Sequence, residues 1–312
     1  MALVYWFSDG VGEGVNKGGA DGKTPVPTAL VRWIRTKGAP ALIVYGGDVY
    51  PAGNSKSFSV FLEQMDADVT LVCETAGNHD WQDDPDLPVT GRIPHGYDTF
   101  WRNHPESKQS VDNGKKGSAR YDHFIDIDGW RLIFVDTGDN KNNPWPAGDP
   151  SRVTWLMNTF QPGRANILLA HHSRLSRGRH GDNDNLDQLW KTLFDSGGVP
   201  RVAFTLAGHD HNVSMYGPRS RNNPKGTSVP FAEGIHLFVN GAGGDGHYSH
   251  DGFLFFGGAG TKPDLFGDDD NFCVTRINLI SPTAADVDVL DFGRSAKGDP
   301  KPIDKSLVRI RL

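Results

Sequence analysis

Five short apolar runs in this chain each end in glycine, aspartate, asparagine or histidine, and that recurrence narrows the folds open to it. Leu3–Phe7 runs into Ser8-Asp9-Gly10, and Ala41–Tyr45 into Gly46-Gly47-Asp48. Val69–Cys73 leads to Gly77-Asn78-His79-Asp80, and Ile167–Ala170 to His171-His172. Val202–Ala207 runs into Gly208-His209-Asp210-His211. Unbroken apolar runs of this length read as strands buried on both faces. Helical spacing fills several of the gaps. Thr28–Thr36, Ser57–Met65, Arg152–Phe160 and Leu186–Phe194 carry apolar residues at intervals of three and four. Ser151 is the expected N-cap of the third, and Gly197-Gly198 the stop of the fourth. Strands alternating with helices predict α/β layers. After about residue 230 the helices drop out. Ile235–Val239, Phe272–Ile280, Ala285–Leu290 and Leu307–Leu312 predict strands of a second, partly antiparallel sheet.

Composition excludes several classes. With 312 residues, 37% of them hydrophobic, the chain can bury a sizeable core. Its 38 glycines and 20 prolines stay below the roughly 25–30% typical of low-complexity chains. The longest apolar runs are far shorter than the roughly 20 residues a membrane helix needs. No basic-then-apolar leader opens the chain, so no signal peptide is expected. That fits a cytoplasmic protein, or a secreted one whose leader has been trimmed. A net charge of −6 argues against a nucleic-acid partner, since phosphate-backbone binding uses clustered Lys and Arg. Two cysteines, Cys73 and Cys273, give no disulfide framework, and both read as buried small hydrophobes. No long linker divides the chain, so residues 1–312 are expected to form one domain. Two polar, Gly- and Pro-rich stretches, 81–120 and 212–270, are expected to wall a pocket.

The chemistry lies in the strand ends taken together. Open α/β sheets build their sites at the carboxyl ends of strands. There this sequence offers Asp9, Asp48, Asn78, His171, His209 and His211. Carboxylate plus imidazole suits zinc, iron or manganese better than calcium or magnesium. Asp48 can bridge two cations with its two oxygens, and Gly46-Gly47 lets its backbone come close to them. His209 and His211 are two residues apart. An extended loop would aim both at one metal, whereas a tight turn would send one to each.

These motifs, in this order, resemble the calcineurin-like metallophosphoesterase superfamily. The intervals agree: 39 residues from Asp9 to Asp48, 30 to Asn78, 93 to His171 and 38 to His209. The resemblance implies a four-layer α/β/β/α sandwich of two mixed sheets flanked by helices, with a dinuclear metal centre. It implies hydrolysis of phosphate esters by a metal-bound hydroxide. Most of the superfamily opens with Asp-x-His, but here the text is Asp9-Gly10-Val11, and Val11 cannot ligate. Purple acid phosphatases also lack that histidine and supply a tyrosinate, so the pattern is closest to theirs. Tyr50 of Gly47-Asp48-Val49-Tyr50 stands one position early for that role. By resemblance, one metal is held by Asp9, Asp48, His211 and Tyr50, and the other by Asp48, Asn78, His171 and His209. The pair would be iron with zinc, manganese or a second iron. His79 would serve the phosphate and its leaving oxygen, oriented by Asp80. His172, His247 and His250 are further candidates for substrate contact. Arg174, Arg177 and Arg179 read as a solvated basic loop, with contact to a phosphate or acidic substrate as the alternative. The expected partner is a small phosphorylated substrate, a monoester first and a diester second. A binding module without catalysis is the remaining alternative.

Overall fold

The computed structural model of the chain describes residues 1–12, 24–81, 95–109, 122–138, 145, 149–161, 163–244, 246–248, 260–294, 301–302 and 307–312. The first half holds β1 (Ala2–Phe7), β2 (Val11–Gly12), β3 (Leu42–Tyr45), β4 (Val49–Tyr50), β5 (Val72–Glu74), β6 (His123–Ile127) and β7 (Trp130–Val135). Then come β8 (Ala165–Ala170), β9 (Phe204–Ala207), β10 (Val213–Ser220), β11 (Gly234–Asn240) and β12 (Phe266–Asp268). Last are β13 (Cys273–Ser281), β14 (Ala284–Asp291), β15 (Lys301–Pro302) and β16 (Val308–Arg311). The helices are α1 (Val26–Thr36), α2 (Ser55–Ser59), α3 (Phe61–Met65), α4 (His95–Arg102), α5 (Pro150–Thr159) and α6 (Asp187–Thr192).

Two seven-stranded mixed sheets form the frame. The first runs β15-β14-β13-β1-β3-β5, with β16 also on β14, and the second runs β12-β10-β11-β9-β8-β7-β6. Side chains alternate across a strand, and β1 shows the consequence. Val4 and Trp6 enter a core shared with Trp130, Leu132, Phe134, Ile167 and Leu206 of the second sheet. Tyr5 and Phe7 point the other way, onto Leu30 and Ile34 of α1 and onto Phe58 and Phe61. The second sheet does the same. Ile133, Val135, Leu168 and Leu237 leave the shared core to meet Leu156 of α5 and Leu189 and Trp190 of α6. Three apolar layers thus hold four layers of structure, helix, sheet, sheet and helix. No helix among the described residues is long and apolar enough to cross a membrane. Cys73 and Cys273 are buried free thiols, as expected.

Several local expectations are corrected. The late strands do not make a sheet of their own. β13 lies antiparallel to β1, and β14 to β13, so they widen the first sheet. β11 instead joins the second sheet parallel to β9. Each sheet is therefore closed by strands from distant parts of the chain. The 57–65 pattern breaks into two short helices at Val60. The Val69–Leu71 turn is a 3-10 helix, so β5 starts only at Val72. Asp149, not Ser151, caps α5: its carboxylate accepts the Ser151 N–H at 2.9 Å, with Pro150 at the first helical position. Within 212–270, β10, β11 and β12 are strands of the second sheet. β10 tolerates Pro218 because its pairing with β11 shifts register between Tyr216 and Arg219. Within 81–120, α4 packs Tyr97 and Trp101 into the core around Phe58 and Phe61.

Candidate metal centre

The carboxyl ends of β1, β3, β8 and β9 meet at one edge where the two sheets abut. Backbone bonds lock the loops there. Gly46 N–H donates to the Phe7 carbonyl, Asp9 N–H to Gly47, Gly208 N–H to His171 and Gly243 N–H to Ser8. Tyr45, buried at the end of β3, ties two loops at once. Its hydroxyl accepts the Gly10 and Val11 N–H groups at 3.0 Å and donates to the Asp48 carbonyl at 2.6 Å. Val11 is consequently a core residue, fully buried and paired with Val49. Asp9, Asp48 and His209 all adopt left-handed backbone, at φ 58°, 65° and 70°. Such conformations cost of order 1 kcal/mol or more outside glycine and gather at functional sites. The turn at His209 settles the direction of its neighbour. The His209 ring packs on His171 and His172, whereas His211 faces Asp9 and Tyr50. Gly77 has no room for a side chain, since a Cβ there would strike Asp48 Oδ1.

The donors converge. His171 Nε2 lies 3.3 Å from Asp48 Oδ2, and His211 Nε2 lies 3.6 Å from Asp9 Oδ1. The Tyr50 hydroxyl sits 2.8 Å from His211 Nε2, 3.4 Å from Asp48 Oδ2 and 3.5 Å from Asp9 Oδ1. Nδ1 of His171 is 2.6 Å from the Gly46 carbonyl, and Nδ1 of His211 is 2.7 Å from the Gly246 carbonyl. A carbonyl only accepts, so Nδ1 carries the proton in both rings and Nε2 presents its lone pair. This is the arrangement that metal-ligating histidines use. Asn78 Oδ1, His171 Nε2 and His172 Nε2 are buried with no hydrogen-bond partner among the described residues. Leaving such atoms unpaired costs about 1–3 kcal/mol each, a cost that a cation bound to them removes. Asp9, Asp48 and His171 form one group whose ligand atoms lie within 4.8 Å of one another, and His171, His172 and His209 form a second. The mixed oxygen and nitrogen set fits metal ions of the zinc, iron or manganese kind.

Electrostatics point the same way. Burial, and then the Asp48 charge, push the Asp9 carboxyl well above its usual range against the pull of His171. Burial also opposes the Asp48 charge, but His171 and His79 outweigh it and hold that group low. His171 is raised to about 10, because Asp48 and Asp9 overcome the burial that disfavours its charge. Asp48, with Asp9 beyond it, thus favours positive charge at His171 Nε2, which a second proton on that ring can supply. A bound cation is the alternative counter-charge.

The remaining expected residues sort as follows. His79 N–H donates to Asp48 Oδ1 at 2.8 Å, and its ring Nδ1 lies 2.8 Å from the Pro51 carbonyl. Asp80 is not arranged as the partner of that ring. Its two oxygens accept the Asp48, Val49 and Gly77 N–H groups at 2.7–2.9 Å, so it braces the loops that carry Asp48 and Asn78. His172 lies among the candidate ligands themselves. His247 packs on Phe272 with ring centroids 4.7 Å apart, and His250 lies outside the described residues. Arg174 is no solvated residue. It is buried and paired with Asp184 and Asp187 at 2.8 Å. Arg177 donates to the Gly260 carbonyl, and Arg179 lies over the Tyr248 ring.

Two residues escape the sequence reading. The His180 ring is 4.0 Å from that of His209, and Tyr248 stacks on His211 at 4.0 Å. His180 helps line a cavity of about 170 Å³ with His172, Ser176 and Asp182. The run of three arginines just before His180 was the available signal that this loop is held against the protein.

Comparison with known proteins agrees with the geometry. The family model for calcineurin-like phosphoesterases matches residues 20–213. No curated protein matches the chain. Purple acid phosphatase PPD1 from yellow lupin (Lupinus luteus) seeds has a similar fold, with a TM-score of 0.67 at 14% identity over 99% of this chain. The chain spans about half the length of that enzyme, 53%. GAP50, the anchor in the inner membrane complex of Plasmodium, is similar at a TM-score of 0.56 and 13% identity, over all of this chain and 90% of that one. The chain therefore belongs to the calcineurin-like phosphoesterase family.

Proposed function

We propose that the chain is a phosphomonoesterase of the purple acid phosphatase kind, working with two metal ions. The observation that carries this reading is the Tyr50 hydroxyl, which meets Asp9, Asp48 and His211 at 2.8–3.5 Å. A phenolate there adds a third anionic oxygen beside the two carboxylates, a set suited to Fe(III). Asp9, Asp48, Tyr50 and His211 would hold that ion. Asp48, Asn78, His171 and His209 would hold a divalent partner, zinc, manganese or iron. When bound, the pair supplies Lewis acidity, offsetting phosphate charge and stabilising the entering and leaving oxygens of an in-line displacement.

The chain's own residues do the rest. Ser8 and the His209 N–H bind Asp9 Oδ2, which leaves Oδ1 directed toward Tyr50 and His211. The Pro51 carbonyl accepts Nδ1–H of His79, so as general acid His79 would act as the doubly protonated ring, giving Nε2–H to the leaving alkoxide and keeping Nδ1–H on Pro51. Asp80 holds the loops in register. The one core shared by both sheets supports treating residues 1–312 as a single domain.

The test is turnover of 4-nitrophenyl phosphate against bis(4-nitrophenyl) phosphate by the metal-loaded protein. Preference for the monoester supports the reading. Preference for the diester replaces it with a phosphodiesterase, and turnover of neither replaces it with a binding module.

A further inference from the structure

His172 follows a candidate ligand and shares its surroundings. It is 2% exposed. Its Nδ1 lies 2.6 Å from Thr137 Oγ1, and the same oxygen accepts the His172 backbone N–H at 3.3 Å. Its Nε2 is buried without a hydrogen-bond partner among the described residues. Its ring centroid is 4.8 Å from that of His171 and 4.3 Å from that of His209. One ring nitrogen from each of the three lies within 4.8 Å of one from each of the others. Thr137 occupies Nδ1, so Nε2 is the nitrogen available to the cluster.

We infer that His172 is a metal ligand, binding the second cation through Nε2 beside His171 and His209. This rests on the two-metal reading above, and differs from the substrate contact its sequence position suggests. Three imidazoles with Asn78 and Asp48 give that cation five protein donors. The set favours zinc, cobalt or iron over magnesium or calcium. The assignment also fixes a tautomer. An oxygen has two lone pairs, so Thr137 Oγ1 can accept from both the His172 backbone N–H and Nδ1–H. Nε2 is then left unprotonated. In the other tautomer the Thr137 hydroxyl would donate to Nδ1, and Nε2 would carry a proton that blocks a cation. Thr137 is thus a positioning residue. It leaves β7 through Asp136, whose carbonyl and N–H are held by the buried Arg152–Asp122 pair.

The experiment loads wild-type protein, labelled with ¹⁵N-histidine, with ¹¹³Cd²⁺ and reads one-bond cadmium–nitrogen splitting on the imidazole signals. His172→Gln assigns the signal. Splitting at His172 Nε2, together with His171, His209 and His211, supports the assignment. Splitting at those three with His172 unsplit overturns it and leaves the two-metal reading standing. A protein that takes up no cadmium overturns both. Chelator competition gives a second readout. His172→Ala should weaken the second Zn²⁺ by more than the roughly 10–100-fold that loss of an outer hydrogen-bond partner costs. Thr137→Val should weaken it within that range. Unchanged Zn²⁺ affinity in His172→Ala, with only KM for 4-nitrophenyl phosphate raised, assigns the residue to substrate and refutes the inference.

Discussion

The buried ion pair behind the metal loops allows a quantitative test. Arg152 donates from Nε to Asp122 Oδ2 at 2.6 Å and from Nη2 to the Asp136 carbonyl at 2.5 Å, and the two side chains are 7% and 1% exposed. Arg152→Met keeps the aliphatic stem and removes the charge. Asp122 is then a buried carboxylate whose remaining bond among the described residues is the Asp136 N–H at 2.9 Å. Breaking such a pair from one side costs about 3–5 kcal/mol, a large share of the about 5–15 kcal/mol typical of a whole domain. Arg152→Met/Asp122→Leu removes both charges and should recover most of that loss, because a matched apolar pair is often neutral. The predicted coupling is at least about 2 kcal/mol. Urea unfolding of chelator-stripped protein measures it, with metal absent so that binding does not mask the change. A cost below about 1 kcal/mol for the single variant, or a double variant weaker than the single, would refute the argument.

Other outcomes follow from the same geometry. Asp48→Asn removes the one carboxylate shared by both candidate sites, so chelator competition should show both metals bound far more weakly; normal affinity counts against a shared ligand. Tyr50→Phe in the iron-loaded protein should abolish a visible phenolate-to-iron absorption band while the second metal stays, and a band that persists assigns it to another donor. His236 on β11 packs against Phe231 and Phe238, and burial lowers its pKa to about 4. The unfolded chain therefore takes up a proton near pH 6.5 that the fold refuses until about pH 4. Stability should fall by up to about 3 kcal/mol as pH drops across that window. His236→Phe should flatten that slope in acid unfolding curves; an unchanged slope would rule the ring out as its source.

The candidate site was legible because its donors sit close after the apolar runs that make the strands. Asp9, Asp48, His171 and the His209–His211 turn each begin within three residues of a strand's end, so reading the strand ends picks them out. What the sequence hid depends on contacts made through space. Tyr45 looked like an ordinary strand residue, yet its hydroxyl joins the Asp9 and Asp48 loops. Asp80 stands next to His79 in sequence but bonds to backbone 31 and 32 residues earlier. Arg174 lies in a basic run, and only the approach of Asp184 and Asp187 makes it a buried anchor. The sheets hid their membership for the same reason. Apolar alternation shows that β13 and β14 are strands, but not that β1, more than 260 residues away, is the neighbour of β13.

Metal content measured alongside activity tests the central claim most directly. Elemental analysis of purified protein, before and after chelation, is paired with turnover of 4-nitrophenyl phosphate at each stage. The account predicts two metal ions per chain, loss of turnover when they are removed, and recovery when they are returned. Turnover that survives complete removal of metal would contradict it.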